Sequence, residues 1–190
     1  MHWYERFKRT EGLMTPADGA LLYALATSAV LDTGCKHVVE LGVYRGRSAC
    51  ALGAACRDTG ATLFGYDIWG TVPSTQKSGS EEMATKALAL ADLTDCVRIL
   101  TGDSADAGRS WAYGRVAMVF IDASHTYEAA SADIVAWSKH IPPGGILALH
   151  DVNCPAVQKA IDDNVPKSEF RHIGSIGVVG AYRRPMEGEK

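Results

Sequence analysis

Two apolar runs end in polar groups that could do chemistry. Met118-Val119-Phe120-Ile121 leads into Asp122-Ala123-Ser124-His125, and Ala148-Leu149 leads into His150-Asp151. Short apolar runs of this kind read as buried strands, which places Asp122 and Asp151 at neighbouring strand tips on one rim. Two carboxylates converging there suit a hard cation such as Mg²⁺, which keeps several waters and takes few protein ligands. An ion so held would bind a substrate hydroxyl and lower its pKa. His125, on the loop between strand and helix, titrates at about 6.5 when unperturbed and suits removal of that proton. The same two aspartates would also serve as caps of the following helices, with His125 a plain loop residue. Asp122, Ser124 and His125 are triad members by type, but the chain has no Gly-x-Ser-x-Gly elbow to go with them.

A second set of residues gathers around a glycine turn. Val38-Val39-Glu40-Leu41-Gly42-Val43-Tyr44-Arg45-Gly46-Arg47-Ser48 is an apolar run ending in an acid, then two glycines, then a helical pattern. Glycines let backbone approach a ligand closely, and a helix N-terminus offers unpaired N–H groups. The spacing is Gly-x-x-x-Gly, so the dinucleotide fingerprint is not matched. Glu40 before the turn suits a cationic group, an amine or a sulfonium, and makes S-adenosylmethionine the first cofactor candidate. Asp67 follows Gly46 by 21 positions, where a carboxylate accepts from ribose hydroxyls in doubly wound folds. A loop-capping aspartate is the alternative. Ile68 and Trp69 would pack on the adenine or belong to the core. Asp103 and Ser104, after Thr101-Gly102, would meet the adenine edge or cap a helix.

These residues need a scaffold that alternates strand and helix. Strands are expected near 37–41, 62–67, 96–101, 116–122 and 145–150, with helices near 47–58, 81–93, 105–112 and 128–140. An earlier helix over 16–32 has Thr15 to cap it and Pro16 at its first position. After Pro155 come a helix over 156–164 and two runs, 169–174 and 176–183, turned by Gly174-Ser175 into an antiparallel hairpin. The expected fold is α/β: a Rossmann-like, seven-stranded, mostly parallel sheet with helices on both faces and an antiparallel C-terminal hairpin. A single domain over 1–190 is expected, with 1–34 a helical cap on a core of 35–190. Residues 70–80 form one long polar loop beside the rim, a mobile lid or a plain disordered surface loop.

Composition narrows the function. With 190 residues, 47% hydrophobic and 22% charged, the chain is long enough for a sizeable core. A formal charge of −3 gives no electrostatic reason to expect nucleic acid. Five cysteines without a C-x-x-C pair argue against a disulfide framework and a structural zinc site, and fit a cytoplasmic location. No apolar run is long enough for a membrane span.

Together these residues resemble a known family. Glu40-Leu41-Gly42-x-Tyr44-x-Gly46-x-Ser48 is similar to the cofactor loop of catechol O-methyltransferase and its relatives. Phe120-Ile121-Asp122-x-x-His125-x-Tyr127-Glu128, with Asp133, Pro143-Gly144-Gly145 and His150-Asp151, resembles the macrocin O-methyltransferase-like and cephalosporin-hydroxylase-like group more closely. The resemblance covers about residues 35–155 and implies a class I S-adenosylmethionine-dependent O-methyltransferase. By it, Glu40, Gly42, Tyr44 and Ser48 surround the methionyl part of the cofactor, with Ser48 on its carboxylate. Asp67 holds the ribose, Ser104 the adenine edge, and Asp122 and Asp151 match metal positions. His125 falls where relatives place the base. The sugar-modifying relatives have an acid where this chain has His150, and the catechol enzymes an asparagine where it has Val152. The third ligand is therefore open between His150 and Asn153, or the metal is absent. The implied acceptor is a hydroxyl of a small molecule (sugar, natural-product glycoside or phenol), and a homodimer is a family expectation. A non-catalytic cofactor-binding module and a hydroxylase-like variant remain alternatives.

Overall fold

The computed structural model describes residues 3–72, 77–165, 167, 169–186, 188 and 189. Strands β1 (His37–Leu41), β2 (Thr62–Asp67), β5 (Val97–Thr101), β6 (Met118–Ile121), β7 (Ile146–Leu149), β8 (Arg171–Ile176) and β9 (Val179–Arg183) make one sheet. Its order is β5-β2-β1-β6-β7-β9-β8, with β9 antiparallel to both β7 and β8 and the other pairs parallel. The order reverses between β1 and β6, and open α/β sheets bind ligands in the crevice at such a point. Helices α1 (Trp3–Arg9), α2 (Pro16–Thr33), α3 (Arg47–Thr59) and α4 (Glu81–Leu90) cover one face; α5 (Ser104–Ser110), α6 (Tyr127–Ser138) and α7 (Pro155–Asn164) cover the other.

Alternation along the strands explains why both faces need cover. In β6, Met118 and Phe120 join the core under α1–α4, while Val119 and Ile121 join the core under α5–α7. In β7, Ile146 and Ala148 divide in the same way from Leu147 and Leu149. A strand buried on both sides reads as an unbroken apolar run, which is how these two stand out in the sequence. Helix α2 starts on a capping box: Asp18 N–H donates to Thr15 Oγ1, and Thr15 N–H donates to the Asp18 carboxylate at 2.7 Å. At the N-terminus Trp3 stacks on Tyr23 at 4.8 Å and Phe7 is fully buried, so this aromatic segment packs onto α2 and α3. All five cysteines are free.

Three expectations need correction. The terminal hairpin turns at Gly177-Val178, not at Gly174-Ser175, because Gly174 lies inside β8 next to a register shift. Helix α4 stops at Leu90, ahead of Asp92 at φ 59°. The 70–80 loop carries a small antiparallel pair, β3 (Thr71–Val72) with β4 (Lys77–Ser78); residues 73–76 lie outside the described ones. Among the described residues no helix is long and apolar enough to cross a membrane.

Candidate active site

The strand tips at the reversal point carry the polar groups. Leu41, Ile121 and Leu149 are in register across β1, β6 and β7, so Gly42, Asp122 and His150 follow as neighbours. The ladder runs one step beyond the strands: Asp122 N–H donates to Leu41 O at 2.7 Å, and His150 N–H to Ile121 O at 3.0 Å. Gly42 permits the approach. A Cβ there would lie 2.1 Å from the Asp122 carbonyl oxygen, and its φ is +90°. Among the described residues, three of the four non-glycine residues with positive φ also border this rim: Tyr44 at 54°, Trp69 at 56° and Asp151 at 53°. Such conformations cost of order 1–3 kcal/mol and persist where surrounding structure imposes them, often at functional sites.

The loop between β1 and α3 is held by Asp67. Its Oδ2 accepts from Val43 N–H and Tyr44 N–H, both at 2.8 Å, and its Oδ1 accepts from Trp69 N–H at 2.6 Å. Asp67 therefore shapes the loop, whatever ligand it also meets. Arg45, which the sequence did not single out, ties two further segments to this loop. Its guanidinium donates twice to Ser78 O at the end of β4 and pairs with Glu11. Gly79 packs on Tyr44, where a Cβ would come within 2.6 Å of the Tyr44 carbonyl. We expect Asp67→Ala to destabilise the cofactor-free protein by about 2 kcal/mol, since three amides lose a charged acceptor. A denaturant midpoint unchanged from wild type would show that the loop does not depend on it.

Glu40 is the most unusual group of the site. It is fully buried, and neither carboxylate oxygen has a hydrogen-bond partner of good geometry among the described residues. Burial pushes its carboxyl up to about 8; the Ser48 hydroxyl beside it pulls the other way, while Asp122 and Asp67 push it further up. Ser48 is buried on the first turn of α3. A neutral carboxyl waiting in an enclosed position is a ready partner for a buried cation. Farther along the rim, Ile68 is 72% exposed, and Trp69 donates its ring N–H to Thr101 at 2.6 Å. Asp103 caps α5 through Asp106 N–H, and Ser104 donates to Asp133 on α6 at 2.6 Å. Burial pushes the Asp133 carboxyl up to about 6. Asp103 and Ser104 are thus both engaged by the fold itself.

Asp122, His125, His150 and Asp151 form one cluster, their ligand atoms all within 4.8 Å of one another. His125 Nε2 lies 3.1 Å from Asp151 Oδ2 and 3.6 Å from Asp122 Oδ1. His150 Nδ1 lies 3.0 Å from Asp151 Oδ2 and 3.3 Å from Asp122 Oδ1. Neither aspartate caps a helix: Thr126 caps α6 through Ala129 N–H, and Cys154 occupies the cap position of α7. Asn153 is exposed. Burial opposes charge on Asp122, yet the two histidines hold its carboxyl below the usual range. Hydrogen bonding to Asp122, with the charges of Asp122 and Asp151, raises His125 against the opposing effects of burial and His150. Burial would lower His150, but the two carboxylates outweigh it and lift it to about 9. His125 is the half-exposed member, 45% open, and once neutral it is a stronger base than a free imidazole.

Known structures share this architecture. The O-methyltransferase NovP superposes with a TM-score of 0.78 at 18% identity, over 88% of this chain and 79% of that one. The S-adenosylhomocysteine-bound Podospora anserina methyltransferase PaMTH1 gives 0.70 at 16%, over 96% and 86%. TomG, a Streptomyces achromogenes O-methyltransferase of tomaymycin synthesis solved with S-adenosylmethionine, gives 0.68 at 17%, over 91% and 82%. At these identities the likeness establishes the seven-stranded Rossmann-like fold. The sequence itself matches the family described as Methyltransferase domain over residues 39–152, from β1 to just past β7. The chain belongs to the methyltransferase domain family.

Proposed function

We propose that the protein transfers the methyl group of S-adenosylmethionine to a hydroxyl oxygen of a small molecule. The observation that carries this reading is Glu40, a fully buried carboxyl at the head of the glycine loop without a well-formed hydrogen bond among the described residues. The cofactor has an ammonium and a sulfonium to offer such a group, so the residues fit it. When bound, it supplies a methyl group on a positively charged sulfur that departs as a neutral thioether. Glu40, Gly42, Tyr44, Gly46 and Ser48 hold its methionyl part, with Ser48 on the carboxylate. Asp67 takes the ribose, Ile68 and Trp69 flank the adenine, and Asp103 and Ser104 lie at its edge. The cofactor-bound states named for TomG and PaMTH1 support the choice of cofactor.

Asp122 lies between the cofactor loop and the acceptor side, within Coulombic reach of Glu40. His125, on the open side of the cluster, removes the acceptor's hydroxyl proton. Much of the rate comes from holding acceptor oxygen and methyl in line in a site that excludes water. Residues 1–34 act as a helical cap on the core of 35–190, with Ser78 and Gly79, tied to the glycine loop, bordering the acceptor space. The acceptor is a sugar, a natural-product glycoside or a phenol. The cluster contains imidazole beside carboxylate, a poor match to the oxygen shell that Mg²⁺ favours.

Mass spectrometry of products from a panel of hydroxylated acceptors tests the reaction. The expected gain is about 14 Da, one methyl replacing one hydrogen, and a gain of about 16 Da would mean a hydroxylase instead. Tight cofactor binding with no product across the panel would mean a binding module.

A further inference from the structure

The geometry points to a site for a first-row transition dication of borderline softness, of the Co²⁺, Ni²⁺ or Zn²⁺ type, in preference to Mg²⁺. Its ligands are Asp122 Oδ1, Asp151 Oδ2 and His150 Nδ1. This inference rests on the methyltransferase reading for the placing of the site, and on this chain's own donor atoms for the choice of ion.

His150 is the deciding residue. It is 8% exposed, and among the described residues neither ring nitrogen has a hydrogen bond of good geometry, although Nδ1 lies 3.0 Å and 3.3 Å from the two carboxylate oxygens. In the ion-free cluster the two carboxylates pair with His150, and a dication would take the place of the imidazole proton between them. Ligand bonds of about 2.1 Å put neighbouring donors about 3.0 Å apart at right angles and about 3.4 Å apart in a tetrahedron. The two observed separations fall within that span. Asp151 is fixed at φ 53°, and Asp122 is anchored through its own N–H to β1, so the donors are set by backbone before any ion arrives. Imidazole nitrogen suits ions of the cobalt-to-zinc range, whereas Mg²⁺ favours an oxygen shell with several waters. His125 completes the cluster on its exposed side and stays free for proton transfer.

The test uses the full chain stripped with EDTA and dialysed. Co²⁺, Zn²⁺ and Mg²⁺ are titrated by calorimetry into wild type and His150→Asp, and S-adenosylhomocysteine is titrated into the same samples. Wild type is expected to bind Co²⁺ at least about 100-fold tighter than Mg²⁺, with that ratio falling at least about tenfold in His150→Asp, whose shell is all oxygen. The wild-type Co²⁺ protein should also show a contact-shifted imidazole N–H proton by NMR, a readout that survives if the variant does not fold. Co²⁺ bound no tighter than Mg²⁺, an unchanged ratio in folded His150→Asp, or a Co²⁺-saturated wild type without an imidazole signal would each overturn the inference. Cofactor-product binding without any Co²⁺ binding sinks the metal site and leaves the methyltransferase reading standing. Absence of cofactor-product binding in every sample removes the reading on which the site rests.

Discussion

Glu40→Gln is expected to weaken S-adenosylmethionine binding by about 100-fold, or about 3 kcal/mol, while the protein stays folded. Glutamine matches a protonated glutamate in shape, so the packing beneath the glycine loop is retained. What disappears is the ability to become an anion when a cation arrives. In the free protein burial holds the Glu40 carboxyl at about 8, so it is neutral near pH 7. Cofactor binding must then expel close to one proton at neutral pH. Calorimetry in buffers of different ionisation enthalpy reads that proton directly, and the variant should release none. The loss should be smaller for S-adenosylhomocysteine, whose sulfur is uncharged.

The same residue makes a stability prediction with a definite sign. Its folded pKa lies above the ordinary glutamate value of 4.5, so an unfolded chain loses the proton first as pH rises. The titration of Glu40 therefore adds no cost below about pH 4.5, lowers stability progressively from there to about 8, and adds its full several kcal/mol above it. Melting of cofactor-free wild type and Glu40→Gln across this window should show the variant gaining on wild type as pH increases. Parallel curves would mean that Glu40 has a partner in solution.

His125→Ala is expected to lower kcat by 10²–10⁴-fold, about the share a positioned base contributes, with cofactor affinity nearly unchanged. The expected separation of effects comes from place. His125 is on the half-exposed side of the cluster, and its ring meets Asp122 and Asp151 rather than any residue of the glycine loop. Steady-state kinetics on an identified acceptor, with parallel S-adenosylhomocysteine titration, checks both halves. Full turnover in the variant would remove His125 from the mechanism. A matching loss of cofactor affinity would make it a structural member of the cluster.

Much of the scaffold is legible because local chemistry and tertiary need agree. The bounds of β1 and β2 coincide with those expected, and Thr15-Pro16 marks the start of α2. Where the two part, the sequence misleads. Gly174 looks like a turn residue, but its φ of 140° serves an irregular pairing inside β8. The two-residue strands β3 and β4 have no periodic signal at all; Arg45, far away in sequence, ties β4 to the glycine loop. For the site, residue types and strand ends locate Asp122, His125, His150 and Asp151 together. That Thr126 takes over the capping of α6, leaving Asp122 free, is a matter of register between loop and helix. Asp67 shows the opposite case, a residue chosen for a ligand that also accepts three amides of its own chain. Hydrogen bonds of that kind depend on how the loop folds back, which spacing alone does not encode.

The most direct measurement is calorimetric titration of the EDTA-treated protein with S-adenosylhomocysteine. The product lacks the methyl group, so binding can be read without an acceptor or turnover. Saturable one-to-one binding, proton release at neutral pH and a clear loss of affinity in Glu40→Gln are expected. No heat at any pH between 6 and 9 would contradict this expectation, and the buried carboxyl at the head of the glycine loop would then belong to a different ligand.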